Sequence, residues 1–347
     1  MNDPVHGPDR PLVAPDRAPW LQRLRTPVAI TGGTGFVGSH LVETLLAAGV
    51  TPRVLVRDRA AARWIGGHAV EWFDGDLADR DALRGLVEDA GTVIHLAGVL
   101  RAWREDDFLG GNRDGTASLA AAMTEVAPGA RLVQVSSQAA LGPSPSREGL
   151  EPDAALAPIS AYGRSKAAAE AEVAAAREVD WTILRPPAIY GPRDTDVFEF
   201  FRLAARGLAA RPAGERFITV AHVADVVRAA LAAAVAADGE RRFHVGEPEA
   251  RTLEDLLAAV ASTGGVAARR LAIPRAVFMV AGAAGSAAQA LGFHRVALTR
   301  DKAREITASH WSLGTRSSLE RLGLETWVDF DEGAAAAWSW YRTIGWL

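Results

Sequence analysis

Short apolar runs and segments with apolar residues at helical spacing alternate along the first half of the chain. PVAITGG (27–33), RVLVR (53–57), TVIHLAG (92–98), ARLVQVSS (130–137) and WTILRP (181–186) are rich in strand formers and bounded by Gly, Pro, Ser or charged residues. The periodicity predicts helices over FVGSHLVETLLAAG (36–49), DALRGLVEDAG (81–91), DGTASLAAAMTEVA (114–127) and SAYGRSKAAAEAEVAAAREV (160–179). Near-continuous apolar strands separated by helices are the sequence form of a parallel sheet covered on both faces. Past Pro187 helices dominate. FITVAHVADVVRAALAAAVA (217–236) reads as strand, turn and helix, RRFHVG (241–246) as a strand, and TLEDLLAAVASTGG (252–265) as a capped helix; two more helices follow near the C-terminus.

The expected layout is a sheet domain over 26–187, to which 216–237 returns. A smaller, mostly helical domain comprises 188–215 and 238–347. Residues 1–25, rich in Pro, Asp and Arg, read as a flexible tail ending in a short amphipathic turn around Trp20, Leu21 and Leu24. They lack the apolar core of a signal peptide.

Composition narrows the class. Of 347 residues, 49% are apolar and 23% charged, ordinary for a globular protein. The net charge of −4 carries no basic footprint for nucleic acid. With no cysteine, disulfides, thiolate catalysis and Cys-based zinc sites are excluded, and no metal site is expected. This fits a reducing, cytoplasmic location. The longest apolar stretch, AVFMVAGAAGSAAQAL (276–291), falls short of the roughly 20 residues of a spanning helix, so no membrane span is expected. A buried or dimer-facing helix is the expected reading.

ITGGTGFVG sets Gly32, Gly35 and Gly38 between the first strand and the first helix. A tight turn, close approach of a pyrophosphate and close helix–sheet packing each require a glycine there, and the helix start offers free N–H groups. A dinucleotide is therefore expected. Arg57 at the tip of the second strand suits the 2′-phosphate of NADP, whereas Asp58 in the acid's role would suit NAD. Asp76, in FDGDLAD, could accept a hydrogen bond from the adenine amino group, with Leu77 flanking the ring.

Tyr162 and Lys166 stand four residues apart, on one helix face. A nearby ammonium favours a phenolate and lowers its pKa, suiting the pair to move a proton as a carbonyl becomes an alcohol. Ser136 and Ser137 end a central strand at the carboxyl edge, where open sheets bind ligands. His95 reads as a structural strand-end residue.

TGGTGFVG, HLAG, VSS, YGRSK and LRPPAIYGP, in that order, resemble the extended short-chain dehydrogenases/reductases, the NAD-dependent epimerase/dehydratase-like group, over roughly 27–345. The resemblance implies a Rossmann-type doubly wound α/β sheet with a smaller substrate domain. It also implies catalytic roles for Ser137, Tyr162 and Lys166, with Asn112 near the nicotinamide. Expected cofactor contacts are Thr31, Gly32, Gly35, Phe36, Val37, Gly38, Arg57, Asp76, Leu77, Leu96, Ala97, Gly98, Tyr162, Lys166, Arg185 and Pro186. Asp225 matches an acidic position taken as structural. Gln138 and Ala139 stand where sugar dehydratases of the family carry an acidic pair. Pro187-Ala188 stands where UDP-sugar epimerases usually carry a Phe-Asn-like pair. The first departure speaks against dehydration, and the stretch Arg185-Pro186-Pro187-Ala188 more closely resembles the dihydroflavonol-reductase and 3β-hydroxysteroid-dehydrogenase branches. The implied enzyme transfers hydride between NADPH, or alternatively NAD, and the carbonyl or secondary alcohol of a small molecule, as a homodimer. A nucleotide-sugar epimerase with tightly bound NAD and a non-catalytic NADP-binding regulator are the alternatives. Beside the site, Arg101, Trp103 and Arg104 could meet substrate, while Phe198, Phe200 and Phe201 read as core more readily than as pocket.

Overall fold

The structure, a computed structural model, describes residues 11–237, 239–292 and 298–347. The five apolar runs become β1 (Val28–Thr31), β2 (Arg53–Val56), β4 (Thr92–His95), β5 (Arg131–Val135) and β6 (Asp180–Arg185), and β3 (Glu71–Asp74) adds a strand that was not among them. Every residue of β1, β4 and β5 is buried, as a sheet covered on both faces requires. With β11 (Arg242–His244), they form a parallel sheet of seven strands among the described residues, in the order β11-β6-β5-β4-β1-β2-β3. The order reverses between β1 and β4, which opens a crevice at their carboxyl ends.

Helices α1 (Phe36–Ala47) and α7 (Val223–Ala234) cover one face, packing Leu41, Leu45, Val226 and Val227 against Val28, Ile30 and Ile94. On the other face, α2 (Arg80–Val87), α4 (Gly115–Val126) and α5 (Ala161–Ala175) bury Leu83, Leu86, Leu119, Met123 and Val173. Of the segment 216–237, α7 lies on the sheet. β11 extends this sheet as well, although the sequence reading assigned 238–347 to the smaller domain: once α7 has packed on the sheet, the open edge of β6 lies within reach of the chain that follows it.

The second core gathers Tyr190, Phe201, Leu256, Val260, Phe330, Trp338, Trp340 and Tyr341. It is built from β7 (Ala188–Tyr190), α6 (Phe198–Ala205), β10 (Val220–His222), α8 (Leu253–Thr263) and α12 (Phe330–Thr343). Small pairings knit its margin: β7 with β10, β8 (Leu208–Pro212) with β13 (Arg269–Ile273), and β9 (Phe217–Ile218) with β12 (Arg251–Thr252) and β14 (His310–Trp311).

Two expectations are corrected. Residues 11–25 pack on the main core through Val13, Ala18, Trp20 and Leu24 rather than forming a loose tail. The Trp20 indole also donates to the Leu322 carbonyl at 3.1 Å. Burying a side chain of this size contributes on the order of 2–3 kcal/mol, enough to hold a short segment down. Residues 1–10 lie outside the described residues. Secondly, the apolar stretch 276–291 forms α9 (Arg275–Ala290), in which Gly282 alone is buried, so of the two expected readings, buried or dimer-facing, the buried one is overturned. No described helix is long and apolar enough to cross a membrane.

Candidate active site

The glycine loop has the geometry its sequence demands. Gly32 turns with φ +73°, and a Cβ there would lie 2.5 Å from the Ala97 nitrogen. A Cβ on Gly38 would lie 2.1 Å from the Gly32 carbonyl oxygen, so α1 seats directly on the loop. Gly35 is exposed, and only the Gly32 oxygen, at 3.3 Å, borders the position of its missing Cβ. That open cradle lies against the first turn of α1, where Phe36, Val37 and Gly38 begin a helix whose first N–H groups have no intrahelical acceptor. The arrangement fits a pyrophosphate. Thr31 is fully buried, and its hydroxyl binds His95 Nδ1 at 2.5 Å and accepts from the Ala97 N–H at 3.3 Å. It therefore shapes the Leu96-Ala97-Gly98 edge rather than facing the crevice.

At the ends of β2 and β3, Arg57 is exposed and makes no hydrogen bond or ion pair among the described residues. Asp58 is committed to the Ala60 N–H at 2.9 Å, and Arg59 grips Asp74 with two bonds of 2.7 and 2.6 Å. Asp76 is exposed and accepts from the Ala78 N–H, while Leu77 packs against Gly115.

The tyrosine, lysine and serine converge. The Ser137 hydroxyl stands beside that of Tyr162, close enough to lower the phenol's pKa. Ser137 also accepts from the Ala139 N–H at 3.1 Å, which fixes its rotamer. One turn along α5, Lys166 Nζ donates to the Val135 carbonyl at 2.9 Å and lies near Gly98: a Cβ there would be 3.8 Å from Nζ. Phe108 meets the Tyr162 ring edge-on, centroids 6.1 Å apart.

Burial decides the protonation of this group. It pushes the Tyr162 phenol up to about 12, against the smaller opposing effect of the Ser137 hydroxyl. It also pulls the Lys166 ammonium down to about 8, opposed by Glu170. A lowered tyrosine pKa was expected from the neighbouring ammonium. The structure differs because desolvation is the largest influence on the phenol, while Lys166 gives one of its donors to the Val135 carbonyl. Tyr162 is thus a proton donor at neutral pH. His95 is buried between Thr31 and Thr116 and held neutral, its pKa brought down to about 3 by burial and by Lys166.

Three expected site residues act from behind. Arg185, expected at the cofactor, turns inward: its guanidinium donates to both oxygens of buried Glu170 at 2.8 and 2.6 Å and to the Pro152 carbonyl at 2.6 Å. Ser136 also donates to Glu170, at 2.5 Å, which leaves Ser137 as the serine facing Tyr162. Asn112, expected to be catalytic, is 2% exposed with both ends of its amide engaged. It brackets the Val99 backbone and donates to Ser165 Oγ at 2.8 Å, bolting the loop after β4 to α5. It stands in one π-helical turn, Gly110–Asp114, between α3 (Glu105–Leu109) and α4. Pro186 is buried, and its carbonyl accepts from the Gln138 N–H at 2.9 Å. Sequence reading missed Glu170, although it stands four residues beyond Lys166, on the same face as Tyr162 and Lys166.

On the open side, Arg101 pairs with Asp196 and Arg104 with Asp107, so neither cation is uncommitted. Phe201 is buried, Phe198 packs on Tyr341 and Trp346, and Phe200 is exposed. Asp225 accepts from Arg228 and from the Val328 N–H, a structural tether.

The model of the NAD dependent epimerase/dehydratase family matches residues 28–246. The ceramide reductase of Caulobacter vibrioides is 33% identical over 328 residues, covering 92% of this chain and 96% of that one. The 4-hydroxy-2-methyl-3-oxo-4-farnesyl-3,4-dihydroquinoline-1-oxide ketoreductase of Stigmatella aurantiaca is 30% identical over 254 residues, covering 71% and 75%. Among solved structures, gox2253 superposes with a TM-score of 0.76 at 25% identity, covering 92% of this chain and 98% of that one.

Proposed function

This chain belongs to the NAD-dependent epimerase/dehydratase family and is an NAD(P)-dependent enzyme of the extended short-chain dehydrogenase/reductase type, and from that premise we propose that it reduces a carbonyl on an apolar, long-chain lipid of the ceramide kind, using NADPH. The observation that carries the reading is the convergence of the Ser137 and Tyr162 hydroxyls with Lys166 beside the glycine crevice. Relatives spanning most of the chain bear the names of reductases, which favours carbonyl chemistry over epimerisation.

The fit to a nicotinamide dinucleotide rests on the Gly35 cradle and the first turn of α1. Phe36, Val37 and Gly38 would hold the pyrophosphate, Asp76 and Leu77 the adenine, and the Leu96–Gly98 edge the ribose. Arg57, exposed and unpaired, favours a 2′-phosphate. When bound, the cofactor supplies hydride. Ser137 would hold the carbonyl oxygen by hydrogen bonding, and Tyr162 would donate its phenolic proton to that oxygen as it becomes a hydroxyl. Lys166 would stabilise the phenolate that remains. Glu170 and Arg185 keep Lys166 and the serine loop in place. General-acid help of this kind is worth about 10²–10⁴-fold. A homodimer through α4 and α5 agrees with the small side chains Ala117, Ala121, Ala168 and Ala171 left at least partly exposed there.

The test is to titrate NADPH and NADH by fluorescence and then follow turnover of long-chain ketones by nicotinamide absorbance. Tyr162→Phe should keep cofactor affinity and lose about 10²–10⁴-fold in kcat/KM. Full activity in Tyr162→Phe would transfer the case to a non-catalytic regulator. Non-exchanging NAD in the purified protein, with no net redox turnover, would transfer it to an epimerase.

A further inference from the structure

Helix α9 is an apolar helix whose outer face no other described element covers. Val277 is 53% exposed, Val280 70% and Leu291, just past its end, 78%; Ala281 and Ala284 are exposed on the same face. The polar side chains late in the helix turn the other way: Ser286 accepts from the Arg300 N–H, and Gln289 donates to the Trp103 carbonyl. Gly282 seats the helix on α10 (Arg300–Thr307), where a Cβ would lie 2.7 Å from that of Ala303. Over its 16 residues, about 24 Å of length, α9 therefore presents an unbroken apolar stripe.

The charge flanking this stripe is mainly positive. Between Asp255 and Asp301 the chain carries no acidic residue and five arginines, in a protein of net charge −4. Arg269, Arg275 and Arg300 are exposed, and their side chains have no ion-pair partner among the described residues. Asp301 and Glu305, the nearest following acids, are taken up by Arg164, Arg304 and Lys302. A second copy is a poor occupant, because a self-complementary contact would press these arginines against themselves. An apolar stripe flanked by uncompensated arginines matches an anionic lipid surface.

We propose that α9 lies on anionic membrane surfaces, its outer face seated at the headgroup–acyl boundary. The inference goes beyond the proposed reaction and stands without it. Through the Gln289–Trp103 contact, docking would bring the loop after β4, with Leu100 64% exposed, to the same boundary. That loop borders the Tyr162 site through Val99 and Asn112, so an apolar substrate would enter from the lipid side.

Flotation of the full chain with vesicles of phosphatidylglycerol and phosphatidylcholine, against pure phosphatidylcholine, tests this without reading turnover. Binding to the anionic vesicles is expected to fall roughly tenfold or more on pure phosphatidylcholine, and likewise at high salt. Val280→Glu/Leu291→Glu should lower it by a similar factor, as should Arg275→Glu/Arg300→Glu, which leaves the apolar stripe intact. Both pairs are exposed, so circular dichroism and the thermal midpoint should not move. Absence of wild-type binding, or binding unchanged in either pair, overturns the proposal. Self-association that Val280→Glu/Leu291→Glu abolishes, without lipid binding, assigns the face to a second copy and also overturns it.

Discussion

Replacing Glu170 by Gln should cost this protein more than any surface substitution. Glu170 is 3% exposed and accepts three hydrogen bonds, two from Arg185 and one from Ser136. Arg185 is 1% exposed and keeps one further acceptor, the Pro152 carbonyl. Gln preserves shape and one acceptor oxygen but removes the charge, so the guanidinium stays buried without its counter-ion. Breaking a buried pair from one side costs about 3–5 kcal/mol. With an unfolding entropy of about 2.1 cal/mol/K per residue, a chain of 347 residues loses about 1.4 °C per kcal/mol, or about 4–7 °C here. Urea denaturation and calorimetry of Glu170→Gln, Arg185→Met and Glu170→Gln/Arg185→Met form a double-mutant cycle. The double variant should be more stable than the sum of the singles by about 2 kcal/mol or more. A loss below about 1 kcal/mol in Glu170→Gln, or additive singles, would refute the assignment of this pair as the brace behind the site.

Arg57→Ala should weaken NADPH binding about 10-fold or more while leaving NADH unchanged, read by fluorescence titration; equal weakening of both would remove Arg57 from the cofactor site. Gly38→Ala places a methyl 2.1 Å from a backbone carbonyl that cannot yield, so it should cost about 1–3 kcal/mol and abolish tight cofactor binding, checked by denaturation and the same titration. His95 and His244 are held neutral, their pKa values brought down to about 3 chiefly by burial. As pH falls below about 6.5, the unfolded chain takes up protons that the folded one refuses, so stability declines. By pH 4.5 each histidine should account for about 2–3 kcal/mol of that loss. In proton NMR neither imidazole should titrate between pH 5 and 8, and a midpoint near 6.5 for either would contradict its burial.

Much of the molecule was legible because its signals are local. Alternation of apolar runs with helical spacing reports which backbone conformation buries the apolar set, and it located β1, β2, β4, β5, β6, α1, α2, α4 and α5 within a few residues. The glycines of the nucleotide loop were legible for the same reason: the left-handed turn at Gly32 and the close approach at Gly38 are properties of a few neighbouring residues. The Tyr162–Lys166 spacing was also local, since four residues are one helical turn.

What only the tertiary structure decided involves partners remote in the chain. Trp20 finds the Leu322 carbonyl, β11 finds the edge of β6, and Arg185 finds Glu170 instead of the crevice. No period or propensity encodes such pairings. They follow from which surfaces remain open after the sheet and its covering helices have formed. The protonation of Tyr162 belongs to the same class, because desolvation is set by everything packed around a group and not by the lysine one turn away. The α9 stripe is the clearest instance: composition made it apolar and helical, but only the placement of every other described element left its outer face uncovered.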